Sequence, residues 1–172
     1  MRMPFQKRVA AVSPSSFAEF VGFFTAHAVW QIEGGENVVP LLAHQDGAER
    51  VLARVPNDNY EVAAAQAMQK YETIKAKHDC VLCALDTYIT LPNKGRCEAI
   101  TVTACAGPAS ITLAVPYQSA KTKVGLTIYP PEILDHSGLA IPSFLQYFWH
   151  GVDAHAEAAQ FWHAHEEGAT HG

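Results

Sequence analysis

Apolar residues recur at intervals of three and four in three separate segments, a period that is typical of helices packed on one side. These segments cover 16–33, 58–77 and 142–165. The first two begin at Ser16 and Asp58, each followed three residues later by glutamate, which is the spacing of a capping box. The pattern therefore predicts three helices, of which the last is rich in aromatic residues.

Shorter segments between the helices alternate apolar and polar residues or are apolar throughout, as strands do. A hairpin is predicted where Asp46-Gly47 separates two of them. A loop that contains Asp135 and His136 is predicted to lead into the last helix. The predicted strands cover 38–44, 50–55, 80–91, 97–104 and 110–117, with a further edge strand at 124–128.

The elements follow the order helix, two strands, helix, three strands, helix. This order predicts the α+β class, with one antiparallel sheet of about five strands flanked by helices. The length of 172 residues is typical of one domain, so residues 1–172 are expected to fold together. Residues 1–12 and 166–172 are expected to be flexible.

Charge and hydropathy narrow the functional classes. The chain carries 12 basic and 17 acidic residues, and no cluster of Lys and Arg exceeds the pair Lys7-Arg8, which argues against nucleic acid as a partner. Protonation of all nine histidines would change the net charge from −5 to +4. The apolar segments are too short for a signal peptide or a membrane span, so we expect a soluble, cytoplasmic protein with no membrane partner.

The cysteines offer a weak chemical signal. Cys80 and Cys83 have the C-x-x-C spacing of redox and metal sites, but they begin a predicted strand. Residues three apart in a strand point to opposite faces, so the two sulfurs cannot share a metal without a bulge. Buried apolar thiols are the expected outcome, with metal or redox use as the alternative.

Asp86 is the unusual residue of the longest predicted strand. Strand parity places it on the same face as Leu82, Ala84 and Tyr88, where a buried carboxylate must be paired, hydrogen-bonded or protonated. A structural role is expected first, with a ligand site as the alternative. The residues considered for such a pocket are Asp86, Tyr88, His27, His44 and His78.

No segment has a recognised catalytic or cofactor motif, so the sequence predicts no catalytic residue and no cofactor. The histidines of the last helix, including His150, His155, His163 and His165, lack the spacing that stacks metal ligands on one helix face. No metal ligand is predicted. A Cys–His nucleophile at 78–80 is disfavoured, because neighbouring side chains do not point together.

The aromatic last helix is the main functional signal. It contains more rings than one buried stripe would hold, and exposed aromatic patches are typical of contact surfaces. A homodimer is expected, because two-fold pairing is the commonest form of oligomer. The interface candidates are Phe144, Tyr147, Phe148, Trp149, Phe161 and Trp162.

Over most of the chain, the order of elements resembles the roadblock and profilin-like sandwiches, although no specific motif matches. The resemblance implies an interaction, sensory or scaffold domain. The leading hypothesis is a non-enzymatic homodimer that binds a protein partner or a small ligand. The alternatives are a small enzyme with a pocket around Asp86, Tyr88 and a histidine, and a metal-binding protein that uses the His-rich C-terminus.

Overall fold

A computed structural model describes residues 12–93 and 95–169. The helices are α1 (Pro14–Trp30), α2 (Tyr60–Ile74), α3 (Ile141–Ala154) and α4 (Ala156–His165), and a 3₁₀ turn (Gln31–Gly34) follows α1. The strands are β1 (Leu41–Asp46), β2 (Glu49–Arg54), β3 (Cys80–Leu91), β4 (Gly95–Ala106), β5 (Ala109–Gln118), β6 (Thr127–Ile128) and β7 (Glu132–Ser137). The predicted α+β class is confirmed, and the sheet has more strands than the five expected.

The strands form one antiparallel sheet that curls into a half-barrel. Its order is β2-β1-β3-β4-β5-β6, and β7 pairs with β5 beside β6. Helix α1 lies on one face, and α3 and α4 pack on α1. Helix α2 covers β1 and β3 from the opposite face. The molecule thus has a sheet between a layer of three helices and a single helix.

Strand β3 separates the two cores. Leu82 and Ala84 belong to the large core under α1, whereas Val81 and Cys83 belong to a smaller core under α2. This alternation confirms the predicted strand parity. Cys80 lies in the large core, so the two sulfurs of the C-x-x-C pair face opposite sides of the sheet. Burial raises the pKa of both thiols to about 12, which makes them unreactive.

The helices begin close to the predicted positions, but the caps differ. The Ser13 hydroxyl accepts a hydrogen bond from the Ser16 backbone N–H at 3.2 Å, so α1 begins at Pro14 rather than at Ser16. Asn59, and not Asp58, caps α2 by accepting from the backbone N–H of Val62 at 3.1 Å. In each case a neighbouring Ser or Asn accepts a hydrogen bond from a backbone N–H of the first turn that would otherwise be unpaired.

Two glycines allow α1 and α3 to cross closely. A Cβ on Gly22 would lie 1.9 Å from the carbonyl oxygen of Phe148, and one on Gly151 would lie 2.1 Å from that of Glu19. Both distances are far below van der Waals contact, so only glycine fits at either position. The aromatic rings of α3 reach the core because the helix axes approach this closely.

The C-terminal third differs from the prediction in two ways. The expected single helix is broken at His155, whose backbone angles (φ −94°, ψ 87°) are not helical. The segment predicted as a loop around Asp135 and His136 forms the edge strand β7, which pairs with Thr112 and its neighbours on β5. Most of β7 is exposed, so it lacks the apolar alternation that identifies a half-buried strand.

Predictions about the termini fall largely outside the described residues, which exclude 1–11 and 170–172. Within 166–169, Glu166 forms an isolated bridge with Ile128, and the N–H of Glu167 donates to the Ile128 carbonyl at 2.9 Å. None of the helices in the described ranges is long and apolar enough to cross a membrane.

Candidate metal centre

Three residues from two segments meet where the β1–β2 turn approaches the loop between α2 and β3. His44 and Asp46 are two apart at the end of β1, so their side chains share one side of the strand. Antiparallel pairing of Gln45 with Cys80 brings the start of β3 beside the end of β1. His78, two residues before β3, therefore lies next to Asp46 although 32 residues separate them in sequence.

The carboxylate of Asp46 is the central acceptor of this site. Its Oδ2 lies 2.7 Å from Nδ1 of His78, and its Oδ1 accepts from the backbone N–H of Asp79 at 3.1 Å. Asp79 in turn accepts from the N–H of Gly47 through Oδ2 at 2.9 Å. These bonds fix the turn against the loop and orient the carboxylate toward the histidines.

The two imidazoles lie face to face. The ring centroids of His44 and His78 are 3.7 Å apart, and the planes differ by 17°. Burial, and then the neighbouring His78, lower the pKa of His44, so its ring is neutral at neutral pH. The hydrogen bond from His78 lowers the pKa of Asp46, which keeps that carboxylate ionised. A neutral imidazole and an ionised carboxylate are the forms that bind metals.

One ligand atom from each of the three residues lies within 4.8 Å of the other two. Imidazole nitrogen together with carboxylate oxygen is a donor set for zinc, nickel, copper, cobalt and iron. Three protein ligands leave at least one coordination position for water or another small molecule, as in catalytic zinc sites. We refer to His44, Asp46 and His78 as the His–Asp–His triad.

The triad lies at the surface rather than in a deep pocket. The side chains of Asp46 and His78 are 49% and 23% exposed. An apolar concavity of about 380 Å³ opens nearby, at the start of α1, and Asp79 lines it. None of the triad residues lines this concavity. Small solutes can reach the triad from solvent, because Asp46 and His78 are partly exposed.

Asp46 is the triad residue that sequence reasoning missed. Its position before Gly47 indicates only a turn, whereas the sequence predicts both His44 and His78 as pocket residues. The available signal was the i, i+2 spacing of His44 and Asp46 on a predicted strand, which places two ligand types on one face. No sequence rule indicated that His78 would join them.

Asp86, by contrast, lies on the α1 side of β3. Its carboxylate accepts from the backbone N–H of Val38 at 3.0 Å and from the hydroxyl of Tyr117 at 2.7 Å. The Tyr60 hydroxyl accepts from the Asp86 backbone N–H at 2.6 Å. Burial raises the pKa of Asp86, and the two hydrogen bonds to the carboxylate partly oppose this shift. These contacts join the segment before β1 to β3 and β5.

Comparison with known proteins assigns no family. The chain matches no protein-family model, no curated protein and no solved structure. The resemblance to roadblock and profilin-like sandwiches stays a prediction drawn from the order of elements. Function has to be inferred from the chemistry of the site itself.

The remaining pocket candidates contact residues other than Asp86. Tyr88 is 59% exposed, and the guanidinium of Arg96 lies 4.1 Å from the centroid of its ring. His27 pairs with His155, with Nδ1 and Nε2 2.9 Å apart. Of the five predicted pocket residues, His44 and His78 contact each other directly.

The predicted interface rings are largely enclosed by their own chain. Tyr147 and Trp149 are partly buried, and Trp149 packs against Trp162 with ring centroids 5.2 Å apart. The fully buried members are Phe144, Phe148, Phe161 and Trp162. Of the six predicted interface rings, only Tyr147 and Trp149 therefore keep exposed surface that a partner could contact. The homodimer stays a prediction.

The C-terminal histidines are held by other partners. His163 lies 2.9 Å from Asp153 through Nε2 and 3.4 Å from Glu166 through Nδ1. Nδ1 of His165 lies 2.8 Å from the carbonyl of Phe161. Among the described residues, the one group of histidine and carboxylate ligand atoms that converges is the His–Asp–His triad.

Proposed function

We propose that the protein binds a divalent transition-metal ion at the His–Asp–His triad and that its function depends on this ion. The observation that carries the proposal is the convergence of three ligand atoms within 4.8 Å, contributed by the end of β1 and the loop before β3. This proposal departs from the sequence-based expectation that no residue of the chain ligates a metal.

The ligand set supports an ion with an exchangeable position. Two imidazoles and one carboxylate occupy three coordination sites, and structural zinc sites normally use four protein ligands. The remaining position is open to water or to a small anionic or neutral ligand. The proposed role is therefore binding of a small ligand through the metal, which keeps the ligand-binding part of the sequence-based hypothesis.

Closing the site requires the two histidine rings to turn, because each nitrogen lone pair lies in its ring plane and the stacked planes differ by only 17°. Ligand atoms of a tetrahedral ion lie about 3.4 Å from one another, given bonds of about 2.1 Å. The triad atoms lie within 4.8 Å, and two of the side chains are partly exposed and can rotate. The ion would replace the hydrogen bond between His78 and Asp46, while the N–H of Asp79 would still orient the carboxylate.

The test is isothermal titration of chelator-treated protein with Zn²⁺, Ni²⁺, Co²⁺ and, as a hard cation, Mg²⁺. We expect one tightly bound Zn²⁺ or Ni²⁺ per chain and no comparable uptake of Mg²⁺, because imidazole prefers the softer ions. The absorption spectrum of the Co²⁺ complex should report a four- or five-coordinate ion, which distinguishes this site from weak surface binding.

Asp46→Asn and His78→Gln should each weaken binding by at least about tenfold, because each removes one ligand. His163→Gln is the matched control: it changes a histidine that contacts carboxylates but lies outside the triad. Absence of Zn²⁺, Ni²⁺ and Co²⁺ binding would overturn the proposal. Binding that His163→Gln abolishes and Asp46→Asn leaves intact would instead support the C-terminal metal site.

A further inference from the structure

His155 occupies the N-cap position of α4, where a residue with a side-chain oxygen is usual. It separates α3 from α4, is buried, and its Nδ1 accepts the backbone N–H of Ala158 at 3.3 Å. Ser, Thr, Asp and Asn are the usual caps, and their side-chain oxygens accept throughout the neutral and mildly acidic range. An imidazole accepts at Nδ1 only while this nitrogen carries no proton.

Hydrogen bonding determines where the protons of both rings lie. Because His155 accepts at Nδ1, its proton is on Nε2, 2.9 Å from Nδ1 of His27. The His155 N–H therefore donates to His27, and the neutral His27 carries its own proton on Nε2. This last nitrogen is buried and has no hydrogen-bond partner among the described residues. Both contacts are satisfied only when both rings are neutral.

A further proton breaks one of the two contacts. On His27 it would enter at Nδ1 and face the N–H of His155. On His155 it would enter at Nδ1 and face the N–H of Ala158, so the cap of α4 would be lost. Protonation of His27 together with a change of tautomer at His155 would restore the contact between the rings, but it too would remove the cap.

The surroundings oppose a positive charge on His27. Burial, the neighbouring His155 and then Arg54 of β2 lower the pKa of His27. The nearest carboxylate, Glu157 of α4, is 3.9 Å from Nδ1 of His155, but its side chain is 73% exposed, so solvent screens it. The other contacts of the pair are the rings of Phe23 and Trp30 on α1. The indole N–H of Trp30 donates to Glu33, and Arg50 of β2 lies 4.9 Å from the Phe23 ring centroid.

We propose that His27 and His155 form a pH-sensitive contact that holds the start of α4 against α1 at neutral pH and releases it on acidification. Helix α4 carries Phe161 and Trp162, which complete the core, so its release would expose apolar surface. The device would make the C-terminal helix available at mildly acidic pH while the sheet stays folded. It uses neither ligand nor metal, so it is independent of the proposed function.

The sign and size of the effect follow from proton linkage. His27 has a folded-state pKa below its ordinary value of 6.5, so the closed form loses stability as the pH falls below that value. If one proton binds only after release, the opening equilibrium increases about 30-fold between about pH 7.5 and about pH 5.

Hydrogen–deuterium exchange of the amides at the start of α4 measures this equilibrium, after correction for the intrinsic pH dependence of exchange. We expect the opening of Ala158 and Ala159 to increase about 30-fold over this range, while amides of β3 and β4 change far less. The double variant with His27→Gln and His155→Asn has no titrating ring at this contact and keeps an acceptor for the cap, so it should abolish most of the increase. His136→Asn, on the exposed strand β7, is the control and should behave as the wild type.

Equal pH dependence in the wild type and the double variant would overturn the proposal, as would an α4 whose protection is constant over this range. Imidazole titrations by NMR provide a readout that needs no variant. The midpoint of α4 opening should coincide with the titration of His27 or His155, and opening that follows neither ring would also overturn the proposal.

Discussion

Gly151→Ala tests the close crossing of helices α1 and α3. The new Cβ would lie 2.1 Å from the carbonyl oxygen of Glu19 and 2.8 Å from its Cα. All of the nearest atoms are backbone, so no side chain can rotate away to relieve the clash. Helices α1 and α3 would have to move apart by about 1 Å, which separates every ring packed between them.

Two opposing effects determine the magnitude. Alanine is the better helix former and would stabilise an isolated helix by about 1 kcal/mol. Overpacking of a core typically costs about 1–3 kcal/mol, and a contact with rigid backbone lies at the upper end. The expected net loss in the free energy of unfolding is about 2 kcal/mol, which corresponds to about 4–8 °C in Tm for a chain of this size.

Urea unfolding followed by far-UV circular dichroism measures this loss. Gly34→Ala is the matched control: its Cβ would have no atom within 4 Å and its φ is not positive, so it should change stability by less than about 1 kcal/mol. Gly22→Ala strains the same helix pair against Phe148. The double variant should therefore lose less than the sum of both, because the helices are already separated. A Gly151→Ala protein as stable as the wild type would refute the close crossing.

The further predictions concern Asp86 and the helix layer formed by α1, α3 and α4. Asp86→Ala should lower the free energy of unfolding by about 1–3 kcal/mol, because Val38 and Tyr117 lose their hydrogen-bond acceptor. Asp86→Asn should lower it less. Equal losses for the two variants in urea unfolding would contradict this role. Burial raises the pKa of Asp86, so its contribution to the free energy of unfolding is complete below the ordinary pKa of 3.8. This contribution declines as the pH rises through the folded-state pKa. Asp86→Asn should remove the decline. If Trp149 forms the predicted dimer interface, light scattering should give twice the 18.7 kDa chain mass for the wild type and once for Trp149→Asp; a monomeric wild type at micromolar concentration would exclude the dimer.

Local patterns in the sequence predict most of the fold. The alternation in β3 places Leu82 and Val81 on opposite faces, and the apolar stripe of α2 predicts burial of Ala67 and Tyr71. These predictions succeed because each depends on residues two to four apart, where strand and helix geometry alone decide which side chains share a face.

Junctions between elements are where such rules fail. The break at His155 has neither Pro nor Gly, and histidine is not among the preferred caps, so the apolar period of α3 continues into α4 without a stop signal. The close approach at Gly22 likewise involves a residue 126 positions away in the chain, Phe148. A glycine inside a helix indicates only a weaker helix until its partner is known.

The His–Asp–His triad depends both on local spacing within a strand and on contact between distant segments. His44 and Asp46 share a face for a local reason, whereas His78 joins them only because β1 pairs with β3 in one register. A shift of that register by one residue would turn both β1 ligands to the opposite face, so the register is what creates the site. Leu42 pairs with Cys83 of β3 and is buried in the smaller core under α2, so its burial favours this register. The candidate metal centre therefore depends on the packing of the smaller core. The apolar pattern that predicts this core and the spacing of His44 and Asp46 indicate the site only when they are considered together.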